Sequence, residues 1–194
     1  MPHTRFFTAP AALLVALGGV VGVGCDLSPQ CEENTDLVTG EAWTFVEPAA
    51  DTLWPAPPEA ALCTAEDLQR QAFGEDMALE VDTRFGCGWA TAVQPLARDI
   101  RAGDSLQVRV FYFSQATFPA SQAEVAIAIG DDVVMQEFVD IPTSSGLLAP
   151  RLTVASDAGA GTPVHFHVGN HGDNSWNLVE LSVVTQAPCE PEPS

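Results

Sequence analysis

The chain has 194 residues, 26 of them acidic and 7 basic, for a formal charge of −19 at neutral pH. All the basic residues are Arg, and the acids are spread along the chain rather than gathered in one tail. Such a surface repels phosphate backbones and anionic headgroups, which excludes nucleic-acid binding, and without Lys there is no Gly-x-x-x-x-Gly-Lys phosphate loop.

In chain order, the first segment is Arg5, an apolar small-residue run over 11–23, then Gly24-Cys25 and the polar Asp26-Leu27-Ser28-Pro29-Gln30. This apolar run is too short for a bilayer of ~30 Å, which takes about 20 helical residues. A charged start, a short apolar middle and small residues at the cut describe a removable export signal. With cysteine directly after the cut, the segment resembles the signal of bacterial lipoproteins, with Gly22 where that family's box usually has Leu. The resemblance implies a signal over 1–24, a palmitate-type lipid on Cys25 and a tether over 25–40. The mature protein would sit outside the cytoplasm, on the outer side of the cytoplasmic membrane or at the outer membrane. Asp26 resembles an inner-membrane retention signal of some Gram-negative bacteria.

Cysteine usage agrees with export. Setting Cys25 aside leaves Cys31, Cys63, Cys87 and Cys189, an even number with no Cys-x-x-Cys pair, as expected of an oxidising compartment. Four cysteines allow three pairings. The closeness of sandwich termini favours Cys31–Cys189, with Cys63–Cys87 as the second bridge.

The Pro- and Ala-rich stretch 47–60 reads as a loop laid over the domain, with Trp54 as an exposed contact residue, because Pro lacks the donor N–H of regular elements. Residues 64–73 give the single helix candidate, capped by Thr64 with Asp67 three residues on and stopped by Gly74. The rest reads as about nine strands: 41–46, 77–83, 88–93, 105–113, 123–129, 133–141, 147–155, 163–168 and 176–184. Gly130-Asp131-Asp132 is a hairpin signal between two of them. The expected fold is all-β, an antiparallel sandwich over 41–186 with an irregular tail over 187–194. Gly103-Asp104-Ser105-Leu106-Gln107-Val108 before a long strand and the closing run from Asn174 to Val183 resemble galactose-binding-like jelly rolls, found in carbohydrate-binding modules and extracellular accessory domains.

The histidines cluster. Apart from His3, all lie within 165–171: His165, His167 and His171. Residues two apart on a strand share a face, so His165 and His167 stand opposite Val164, Phe166 and Val168, a geometry used by zinc and related metals. By the same alternation Arg109 shares a side with Gln107, Phe111 and Phe113. Trp176 and Glu180 are placed together on the side of the last strand away from Val179, Leu181 and Val183. If those faces adjoin, Arg109, His165, His167, Trp176 and Glu180 line one glycan-binding surface of rings and hydroxyl-bonding charges. The other readings are a structural or interaction lipoprotein of the cell envelope without a small-molecule site, and a metal protein using the three histidines. Calcium has two acidic turns to consider, Gly130-Asp131-Asp132 and the one beginning at Asp157, neither with EF-hand spacing. No Gly-x-Ser-x-Gly elbow or His-Glu-x-x-His motif is present, so a binding role is expected rather than an enzyme.

Overall fold

A computed structural model describes residues 30–57, 59–73, 76–117, 119–169 and 173–189. The expected export signal, Cys25, His171 and residues 190–194 lie outside that range. Twelve strands are described: β1 (Gln30–Asp36), β2 (Thr44–Phe45), β3 (Leu68–Phe73), β4 (Asp76–Asp82), β5 (Trp89–Pro95), β6 (Ser105–Tyr112), β7 (Ser121–Ile129), β8 (Asp132–Ile141), β9 (Gly146–Leu148), β10 (Arg151–Thr153), β11 (Pro163–Gly169) and β12 (Ser175–Pro188). One sheet has seven strands, in the order β10–β6–β12–β4–β3 with β1 also beside β12 and β9 beside β6. The other has five, in the order β2–β5–β11–β7–β8. Every ladder between named strands is antiparallel. The chain is an all-β antiparallel sandwich of two sheets, as the strand pattern of the sequence predicts.

Alternation also decides what meets between the sheets. Leu106, Val108 and Val110 of β6 and Val164, Phe166 and Val168 of β11 are fully buried in one core cluster. Each such side chain contributes roughly 1.5–3 kcal/mol on leaving water. The β7–β8 hairpin pairs Ile129 with Asp132, which leaves Gly130-Asp131 as a two-residue turn. Gly130 has φ +61° there, the left-handed backbone that glycine adopts without a Cβ clash.

Five segments depart from the sequence reading, one of them the start of the expected irregular tail, where Ala187 and Pro188 continue β12 and pair with Cys31 and Gln30. Residues 30–36, read as tether, form β1 and pair with β12 from Gln30↔Pro188 to Asp36↔Ser182. Most of β1 is polar and exposed, so it carries no alternation to betray it. The helix expected over 64–73 is instead a 3-10 turn, Ala65–Asp67, followed by β3. The Thr64–Asp67 capping box forms, but Leu68 packs on the core and the chain zips onto β4. The run 147–155 is split into β9 and β10, which both pair with β6. Pro150 stands between them and has no N–H to donate to a ladder. Of 41–46, only Thr44–Phe45 is strand.

Two disulfides are formed. Cys31–Cys189 joins the start of β1 to the residue after β12, and Cys63–Cys87 ties the segment before β3 to the one before β5. Among the described residues no helix is long and apolar enough to cross a membrane.

Candidate functional site

The five residues expected on one surface lie in three places. Arg109 and Glu180 face each other in register on the outer side of the seven-stranded sheet. Trp176 is fully buried in the core with Leu178. His165 and His167 stand on the outer side of the five-stranded sheet, across the sandwich. The Trp176 correction has a local cause: the β12–β6 register shifts between Leu178 and Glu180. That bulge at Val179 reverses the phase of alternation, so Trp176 and Leu178 point inward before it, and Leu181 and Val183 after it.

On the outer side of the seven-stranded sheet, the Glu180 carboxylate organises a polar cluster. Its Oε1 accepts from Asn34 Nδ2 and from Ser182 Oγ, each at 2.6 Å. Arg109 Nη1 stands 3.8 Å from Oε2 and is 46% exposed. Nearby, Arg151 grips Glu32 through two bonds of 2.6 and 2.8 Å; this fork holds the Glu32 carboxyl below its ordinary pKa.

Further along the same face the registers place Gln69, Glu80, Asn177, Phe111 and Leu147 in one row across five strands. The Phe111 and Phe113 rings meet edge to face with centroids 5.0 Å apart. Asn177 is 0% exposed, and neither its Nδ2 nor its Oδ1 has a hydrogen-bond partner. An unpaired buried amide of this kind costs about 1–3 kcal/mol. Phe111 was legible from alternation in β6. Asn34 was hidden in the supposed tether, and Glu80 and Asn177 had no signal beyond their place opposite core residues.

The two described histidines have a different setting. Thr91 Oγ1 donates to Asp51 Oδ2 at 2.5 Å and lies 2.8 Å from His167 Nδ1. Since the hydroxyl has one proton and the carboxylate can only accept, Nδ1 carries the hydrogen and Thr91 accepts it. His167 Nε2 is left buried without a partner. Asp51 Oδ1 also accepts from the N–H groups of Leu53 and Trp54, which shapes the Pro-rich loop. Trp54 is only 7% exposed, a correction to its expected role as a contact residue. It stacks on His167, and Trp89 meets the same imidazole edge-on at 4.7 Å. Burial pushes the His167 pKa down to about 4, with the Asp51 charge opposing the shift; burial likewise lowers His165.

This enclosure does not suit a metal centre. Nδ1 of His167 is engaged and Nε2 is walled in by two indoles, while His171 lies outside the described residues. Cys63, Asp67 and Cys87 converge within 4.8 Å, but the two sulfurs are bonded to each other and are not thiolates. Asp157, in one of the acidic turns, accepts from the Ala102 N–H, and Asp99 from that of Ala160, at 2.8 Å each. These are ordinary turn contacts.

No family model matches the chain, and no curated protein does. Among solved structures it is similar to a carbohydrate-binding module studied for specific mannan recognition, with TM-score 0.48 and 10% identity over 81% of this chain and 99% of that one. A carbohydrate-binding module specific for non-crystalline cellulose gives TM-score 0.47 and 9% identity over 78% and 97%. A family 11 module from Clostridium thermocellum, in complex with a β-1,3-1,4-mixed-linked tetrasaccharide, gives 0.42 and 12% over 78% and 94%. These are likenesses of shape; the assignment as a sandwich rests on the strand pairing itself.

Proposed function

We propose that the protein is an exported lipoprotein, anchored through Cys25, whose sandwich binds a glycan without turning it over. The ligand lies on the outer face of the seven-stranded sheet, with Phe111 offering a ring to sugar C–H faces and Arg109 and Glu180 bonding hydroxyls. The observation that carries this reading is the row from Gln69 to Leu147, where polar and aromatic side chains occupy the outward face around an unpaired Asn177 amide. His165 and His167 have no part in it.

Calorimetry of the purified protein with mannan, non-crystalline cellulose and mixed-linked glucan tests the proposal. A binder among them should lose about tenfold in affinity in Phe111→Ala or Glu180→Gln, near 1.4 kcal/mol, while His165→Ala leaves it unchanged. Failure across a wider glycan array would turn the reading to an envelope protein that acts through protein contacts. For the anchor, a clickable palmitate analogue should label the wild-type chain and not Cys25→Ser.

A further inference from the structure

The two ends of the sandwich differ in character. At one end the ladders bring together the connections 83–88, 113–117, 142–145 and 173–174. Asp82 pairs with Ser175, Trp176 with Tyr112 and Tyr112 with Gly146, and isolated β-bridges join Gln115 to Thr143 and Ala116 to Asp173. These stretches hold one acid, Asp173, and one base, Arg84. Asp67 stands at their border, beside the Cys63–Cys87 disulfide. The opposite end, built from 96–104, 130–131 and 154–162, holds Asp99, Asp104, Asp131 and Asp157 against Arg98 and Arg101. β1 also starts there, with Gln30 against Pro188.

Exposed apolar side chains gather at the acid-poor end. Phe85 is 86% exposed there, the most of any large apolar side chain among the described residues. Phe113 is also exposed, and Leu62, paired with Trp89, lies beside them. The turn that carries Phe85 is firmly held. Arg84 donates to the Asp82 carboxylate through its backbone N–H, Nε and Nη2 at 3.0, 2.9 and 2.6 Å. The Gly86 N–H closes the turn on the Thr83 carbonyl, and the Thr83 N–H donates to the Asn174 carbonyl. Cys87 is bonded to Cys63, and the Arg84 guanidinium lies 5.9 Å from the Phe85 ring centroid. A large apolar side chain presented to water on a fixed backbone has the form of a contact anchor. Little backbone freedom is lost when a partner covers it.

Charge selects the occupant. Each copy of the chain carries −19, so contact through acid-rich surfaces sets carboxylates against carboxylates. The Phe85 end lets two copies meet with a single acid in the connections of each. We infer that it is a self-association surface, through which two copies join tip to tip about a two-fold axis. The contact belongs to the small, transient class, and the two amino-terminal starts of β1 lie at the far ends of the pair. The inference does not rest on the glycan reading, which turns on Phe111.

The test is sedimentation and small-angle scattering of the purified protein carrying Cys25→Ser, so that no lipid mediates contact. A monomer–dimer equilibrium should appear as concentration rises, and salt should strengthen it by screening the repulsion between copies. Scattering should give an elongated dimer with roughly twice the maximum dimension of the monomer, as tip-to-tip symmetry requires. Phe85→Ser should raise the dissociation constant at least about tenfold, with unchanged circular dichroism. Val133→Ser, an exposed apolar position at the opposite end, should leave it unchanged. A chain that stays monomeric at every concentration overturns the inference and leaves Phe85 to a partner other than this chain. A dimer that survives Phe85→Ser, weakens with salt or has a side-by-side shape overturns it as well.

Discussion

The Trp54 indole lies flat on the His167 imidazole, with centroids 4.8 Å apart and planes within 3° of parallel. The contact joins a loop without regular structure to a central strand of the five-stranded sheet. It requires a neutral ring, because a second ring proton would put an unpaired donor and a charge into a closed site.

That requirement sets an acid limit on stability. His167 falls from 6.5 to about 4 in the folded chain, so between these values the unfolded chain takes up a proton that the folded one refuses. Stability is therefore full above about pH 6.5, declines as pH falls, and has lost ~3 kcal/mol by about pH 4. Urea denaturation at a series of pH values measures it. His167→Gln should flatten the slope, and an unchanged slope would assign the loss to other groups.

Gly169 follows from the same cluster. A Cβ at this position would come within 2.8 Å of the Trp89 ring and 3.3 Å of His167 Nε2. Gly169→Ala should therefore cost about 1–3 kcal/mol by overpacking, with a changed near-UV tryptophan spectrum. A neutral outcome would mean that Trp89 is free to move aside.

Asn177 separates stability from binding. Replacing its unpartnered amide by an apolar group of similar shape, Asn177→Leu, should leave stability unchanged or raise it by about 1–2 kcal/mol. On the proposed glycan reading, the same variant should lose polysaccharide affinity. Thermal melts and calorimetry on one preparation give both numbers.

The two disulfides should rank by the chain they close. Cys31–Cys189 spans 158 residues and Cys63–Cys87 spans 24. Loop-closure entropy then gives about 5 and about 3.5 kcal/mol. Denaturant curves of the Cys189→Ser and Cys63→Ser variants should show the first as the larger loss.

Legibility in the sequence followed the burial of each strand. β6 buries one face and leaves the other partly solvated, so alternation located it and set Arg109 apart from Val108. β7 and β11, in contrast, are buried on both faces, with Ala126, Ala128 and His167 covered on the outer side, and read as strands from their apolar runs and turns. β1 and β3 are edge-like and polar, and only their partners on β12 and β4 make them strands. The candidate face failed as a single surface for two physical reasons. One bulged residue, Val179, inverted the phase of β12 at Trp176, and alternation within a strand does not say which sheet the strand joins. The Asp51–Thr91–His167 chain joins a loop to two strands 40 and 76 residues further on from its members, a relation no local pattern encodes.

The ladder between β1 and β12 has a mechanical reading. A pull on the chain ahead of Gln30 would load the pair from its Gln30–Pro188 end, where hydrogen bonds could open one at a time like a zipper. The Cys31–Cys189 bond sits at that same end, so peeling has no place to begin. Tension entering from the amino-terminal side passes directly into the long strand β12 and is shared across the sheet, which makes this corner of the domain its natural point of suspension.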